Sequence, residues 1–150
     1  MMKKIYIGAD SAGYTLKEEI KKYLTTMGNE VVDCGTDSEE SCHYPVFANA
    51  VCEKVKADKD AFGILVCGTG IGMSMCANKH NGIRAALCGD TFSARMTRMH
   101  NDANVLCLGA RVIGPMLALD IVDAFLNNKF DGGRHAIRVD MMTEIENSQK

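Results

Sequence analysis

The sequence predicts an α/β chain: a Rossmann-like three-layer sandwich with a five-stranded parallel sheet flanked by helices. Three observations carry that prediction. Apolar, β-rich runs alternate with segments of helical period along the chain. Several of those runs are apolar throughout rather than alternating, as in strands covered on both faces. No internal repeat, linker or low-complexity stretch interrupts the alternation.

The elements follow in order. KKIYIG (3–8) reads as a strand. In 14–28 the apolar residues Leu16, Ile20, Tyr23, Leu24 and Met27 share one helical face, and Gly28 closes the helix. EVVDCG (30–35) is a second strand, and 45–57 is a helix with proline in its first turn. AFGILVCG (61–68) is a third strand and 71–80 a short helix. Segments 83–89, 91–101 and 104–109 supply strand, helix and strand, and 114–128 is a strongly apolar helix. A more polar helix spans about 134–147. Right-handed crossovers between parallel strands place ligands at the carboxyl ends of the strands. That rim holds Asp10, Ser11, Cys67, Thr69, Asp90 and the GARV after strand five.

The totals narrow the function. The 150 residues suit one domain, 1–150, and 47% hydrophobic residues suffice for one core. A formal net charge of −2 gives no reason to expect nucleic acid or an acidic membrane surface as partner. No run of about 18 apolar residues is present to span a bilayer. The run after the two N-terminal lysines is too short for a signal-peptide core. The seven cysteines are odd in number and form no C-x-x-C. Most sit in apolar runs as small hydrophobes, which fits a reducing cytoplasm.

ILVCGTGIGMS (64–74) is the stretch that carries chemistry. A dinucleotide fingerprint needs a third glycine where Met73 stands, although Asp90 lies about 20 residues on, as a ribose-binding acid does. No P-loop is present. A tight turn without ligand is one reading, and a loop whose amides face an anion is another. Cys67 sharpens the second. A thiolate beside oriented amides can move a proton next to a carbonyl while the amides hold the oxyanion. Elsewhere, His100 at a helix end offers a general acid or base, or is a surface histidine. Arg134 and Arg138 share a helix face as an anion clamp or a solvated basic face, and Arg111 on the rim could join them. The histidines at 43, 80, 100 and 135 have no metal-ligand spacing, so no metal is expected.

Taken together, GAD (8–10), CGTGIG (67–72), ANK (77–79), GIRAA (82–86), HNDANVL (100–106), GARVIG (109–114) and GGRHAIRV (132–139) resemble the ribose-5-phosphate isomerase B family, which includes galactose-6-phosphate isomerase subunits. The resemblance runs in order along almost the entire chain. It implies a cytoplasmic homodimer, often paired into tetramers, with no cofactor or metal, acting on a sugar phosphate through a cis-enediolate. By that resemblance Cys67 moves the proton between C1 and C2. Thr69 and the amides of Gly68, Gly70 and Gly72 hold the enediolate. His100 opens the sugar ring, Asp10 lies beside the substrate hydroxyls, and Asn101 orients the substrate. Tyr44 lines the pocket, Arg111, Arg134 and Arg138 grip the phosphate, and the pocket forms across the dimer interface. Ribose 5-phosphate and ribulose 5-phosphate are the default pair, with galactose 6-phosphate, allose 6-phosphate or a tetrose phosphate as alternatives. A non-catalytic nucleotide-binding module is the alternative of another class. Two positions depart from the family pattern. Ser11 stands where the family usually has a phosphate-binding histidine, and His43 replaces an acid before the tyrosine. Serine offers at most a neutral hydrogen bond, about half as strong as a charge-assisted one.

Overall fold

A computed structural model describes residues 2–149. The elements are β1 (Lys4–Ala9), α1 (Tyr14–Thr26), β2 (Glu30–Asp33), α2 (Tyr44–Ala57), β3 (Phe62–Cys67), α3 (Ile71–Ala77), β4 (Ala85–Leu87), α4 (Thr91–Asn101), β5 (Val105–Gly109), α5 (Pro115–Leu126) and α6 (Arg134–Ser148). All five strands pair in parallel, in the order β2-β1-β3-β5-β4.

Burial explains the order. The most buried strands, β1, β3 and β5, occupy the centre, and every residue of β5 is buried. The half-exposed β2 and β4 take the edges. The last strand thus lies between β3 and β4, which departs from the two common doubly wound orders. β4 is also shorter than the expected 83–89. The Arg84 N–H donates to Asn104 Oδ1 instead of a strand. On the free edge of β4, the Asn78 side chain takes the Ala85 N–H and donates back to the Ala85 carbonyl. One amide side chain thus covers an edge that could otherwise pair with another strand.

Two apolar clusters sandwich the sheet. Ile20, Leu24, Ala94, Ile121 and Phe125 from α1, α4 and α5 pack on one face. Val51, Val55, Met73 and Ala77 from α2 and α3 pack on the other. α6 lies outside these layers against α4, and Val139 is its one buried residue among those described. The chain steps outward from β1 to β2, then returns across β1 to β3. The loops after β1 and β3 therefore diverge, and the crevice between them is the place where such sheets bind ligands.

Candidate active site

Cys67 ends β3 at that crevice and is 5% exposed. Its Sγ accepts the Gly70 N–H at 3.1 Å. Gly70 makes this possible with a φ of +80°, a backbone turn that side chains with a Cβ rarely adopt. Thr69 Oγ1 accepts the Ile71 N–H at 3.2 Å, so its own O–H remains a donor. The first helical bond of α3 comes from the Ser74 N–H to Gly70 O, so the Gly72 and Met73 amides precede it and face outward.

Three neighbours converge on this loop. The Asp10 N–H donates to Val66 O, and the Asp10 carboxylate accepts the Gly13 N–H at 3.0 Å, which pins the turn carrying Ser11 beside the end of β3. Arg111 donates its N–H to Gly68 O, and its guanidinium lies 3.5 Å from where a Gly68 Cβ would be. The Tyr44 ring lies against Gly72, where a Cβ would meet it at 2.6 Å. Asp10, Ser11, Tyr44, Cys67, Gly68, Thr69, Gly70, Gly72 and Arg111 therefore form one constellation. Asp90 is on the same rim but is engaged locally: it caps α4 by accepting the Ser93 N–H and Oγ–H. Those bonds hold its carboxyl below the usual carboxylate range. This removes the ribose-binding role that a dinucleotide site would give it.

The other four expected residues lie elsewhere. His100 and Asn101 end α4, at the amino end of β5, whereas Cys67 pairs with Gly109 at its carboxyl end. The five residues of β5, four steps of roughly 3.3 Å or about 13 Å, separate the two levels. Arg134 and Arg138 go with His100, because the His135 ring between them in sequence stacks on the His100 ring. Sequence reasoning lets Arg111 join the Arg134–Arg138 pair; within one chain the fold puts them at opposite ends of the strands. A cleft of about 480 Å³ between the Asn78–Arg84 turn and α6 contains none of the residues around Cys67.

Structure also adds residues that the sequence reading left out. Arg84 and Arg98 both bind the Asp102 carboxylate, holding that residue at φ +48° as it closes α4 after His100 and Asn101. Arg98 lies over the rings of Phe62 and Phe125. Asp131 comes within 3.8 Å of His100. The HND and GGRH motifs contain Asp102 and His135, but nothing in their spacing says what they touch. His100, Asp131 and His135 are the one described group of three possible metal ligands. The two imidazoles are 7° from parallel, so their in-plane lone pairs run side by side rather than converging.

Comparison with known proteins agrees with this fold. The family described as Ribose/Galactose Isomerase matches residues 5–142. The chain is 49% identical to ribose-5-phosphate isomerase B of Escherichia coli (strain K12) over 145 residues, covering 97% of each chain. It is 47% identical to D-erythrulose-4-phosphate isomerase of Pectobacterium atrosepticum, covering 99% of each. The structure of ribose-5-phosphate isomerase B from Clostridium thermocellum superposes with a TM-score of 0.96 at 53% identity, covering 98% of this chain and 99% of that one.

Proposed function

The chain belongs to the ribose/galactose isomerase family, and from that premise we propose that it is an aldose–ketose isomerase interconverting ribose 5-phosphate and ribulose 5-phosphate. The observation that carries the chemistry is the Cys67 sulfur seated on the amide of a glycine-rich loop, with a hydroxyl and two further amides facing the same space. Cys67, as thiolate, takes the proton from C2 of the open-chain aldose. The electron pair moves through C1 onto O1, and the resulting enediolate is held by the Thr69 hydroxyl and the amides of Gly68, Gly70 and Gly72. The O2 proton passes to O1, and the thiol returns the carried proton to C1 as the O2 carbonyl forms, which yields the ketose. Asp10 takes hydroxyl hydrogen bonds, and Tyr44 closes the side of the pocket over Gly72.

His100 opens the furanose, Asn101 orients the sugar, and Arg134 and Arg138 join Arg111 on the phosphate. These groups reach Cys67 in a homodimer, where one subunit supplies the thiol loop and its partner supplies α4 and α6. The surface of α6 supports that assembly. Exposed Ile137, Met141 and Ile145 fall with Arg134 and Arg138 inside about 100° of helical arc. Burying the apolar stripe against a second copy carries both guanidiniums with it. Exposed Ile71, Met75, Leu87 and Phe92 flank the thiol loop as a matching surface. The reaction uses no metal or cofactor. No described helix is long and apolar enough to cross a membrane, and we place the enzyme in the cytoplasm.

A tetrose phosphate is the second reading, favoured by Ser11 and by the similarity to the D-erythrulose-4-phosphate isomerase. Turnover of ribose 5-phosphate, erythrose 4-phosphate, allose 6-phosphate and galactose 6-phosphate decides between them. Ribose 5-phosphate is expected to have the highest kcat/KM. Turnover of none of them, with thermal stabilisation by NAD or FMN alone, would return the chain to the nucleotide-binding reading.

A further inference from the structure

The loop between α5 and α6 folds back on the end of α4: the Asp131 N–H donates to Met99 O at 2.9 Å. This brings the Asp131 carboxylate 3.8 Å from His100 Nε2. It also lays the His135 ring on the His100 ring, with centroids 4.0 Å apart and planes 7° from parallel. Residues more than 30 positions apart in sequence thus surround one imidazole.

Two rings stacked this closely repel each other when both are protonated. The surroundings of the two rings differ. Asp131 is within ion-pair distance of His100. His135 sits between Arg134 and Arg138 in the first turns of α6. Its burial, then His100 and the two guanidiniums, hold His135 below its ordinary range, and Asp131 offsets this only weakly.

We propose that Asp131 and His135 are positioning residues for His100. The stack fixes the plane of the His100 ring, and the Asp131 carboxylate 3.8 Å from Nε2 fixes which way that nitrogen faces. The catalytic consequence rests on the ring-opening role given to His100 above. There, the His100 imidazolium delivers its proton to the ring oxygen as the C1–O4 bond breaks. The O1 proton leaves to water as the C1 carbonyl forms, and water reprotonates the imidazole. A ring held in one plane before the sugar arrives needs no reorganisation at that step.

The test uses the full-length protein with Asp131→Asn, His135→Phe and His135→Ala. His135→Phe keeps a stacking ring and removes its proton. The His100 ring-proton shifts in NMR should move in His135→Ala, where the stacked ring is lost, and stay nearer wild type in His135→Phe. His100 shifts that stay put in His135→Ala would overturn the proposal, whatever the enzyme turns over. In kinetics, Asp131→Asn and His135→Ala should slow ribose 5-phosphate turnover about tenfold to hundredfold, as lost orienting partners of histidine do at metal sites. Exchange of the C1 proton of ribulose 5-phosphate with D₂O needs the enediolate but no ring, and should stay within about twofold of wild type. His135→Phe should retain more turnover than His135→Ala. Equal losses in turnover and exchange would show a merely structural role and refute the positioning role. Wild-type protein that isomerises neither sugar would defeat the isomerase reading instead, and the NMR result would still stand on its own.

Discussion

At the scale of single residues, chemistry at this site depends on which thiol can ionise. Burial pushes Cys52 up to about 12 and Cys88 up to about 11, and it raises Cys34 and Cys107. These thiols stay protonated near neutral pH and serve as packing. Cys67 alone among the buried cysteines accepts a loop amide hydrogen bond. Cys67→Ala should therefore keep the circular-dichroism spectrum and lose about 10²–10⁴-fold in kcat, the range of a lost general base. Cys52→Ala should leave kcat within about twofold. An active Cys67→Ala enzyme would remove the cysteine base. Ser11 bears on specificity. It sits in the turn held by Asp10, next to the thiol loop, without the charge a histidine would bring to the phosphate. A charge-assisted bond contributes about 1.5–3 kcal/mol, so Ser11→His should lower KM for ribose 5-phosphate roughly tenfold to a hundredfold. A fall in activity on ribose 5-phosphate, with the best activity on another sugar phosphate, would instead make Ser11 the residue that selects that sugar.

Elements hold these residues in place, and two junctions do most of the positioning. The first turn of α3 touches the start of α2 where the Tyr44 ring covers Gly72. Gly72→Ala would put a methyl 2.6 Å from that ring. Tyr44 is 39% exposed and free to swing outward, so the fold should survive while KM rises about tenfold, the worth of one lost contact. An unchanged KM in that variant would mean that Tyr44 does not line the pocket. The second junction ties α1 to β2. Lys17 is fully buried and donates to both Asp33 oxygens at 2.8 Å, while the Gly35 N–H donates to the same carboxylate. Burial works to raise the Asp33 carboxyl, but hydrogen bonds from Lys17 and Lys21 outweigh it and hold it below its ordinary value. A depressed carboxyl stabilises the fold at pH values above its unfolded pKa, near about 3.9. That contribution is lost as pH falls through the lower, folded value. Asp33→Asn leaves the buried Lys17 ammonium only the Glu18 carboxylate, 3.1 Å away, and should cost about 1–3 kcal/mol in urea unfolding at pH 7. The difference from wild type should shrink below about pH 4.

The whole molecule poses the question of completeness. One chain holds the thiol loop at the carboxyl end of the strands and His100 at the amino end, so a composite site needs two copies. This permits complementation. Cys67→Ala and His100→Asn homodimers should each be nearly inactive on ribose 5-phosphate. Refolded together in equal amounts, half the dimers are mixed, and each mixed dimer contains one intact site and one doubly altered site, so about a quarter of wild-type activity should return. A mixture no more active than its parents would place both groups in one subunit's site. Size-exclusion chromatography with light scattering checks the dimer directly.

How much of this was legible in the sequence differs by level. Local patterning determined the eleven elements and the fold class, because strand and helix periodicities are properties of neighbouring residues. The helix starting at 134 and the strand ending at Cys67 were both readable in this way. Motifs marked Cys67, Thr69, His100 and the arginines, because a glycine loop after a buried strand leaves a distinctive signature. Local patterning could not order the strands. That β5 lies inside β4 follows from competition for the buried centre, which the fully apolar strand wins over a half-exposed one. Nor could it set Asp131 and His135 against His100, or put Arg111 and Arg134 at opposite ends of the strands. Those relations join segments far apart in the chain, and only the packing of helices on a common sheet decides which distant side chains meet.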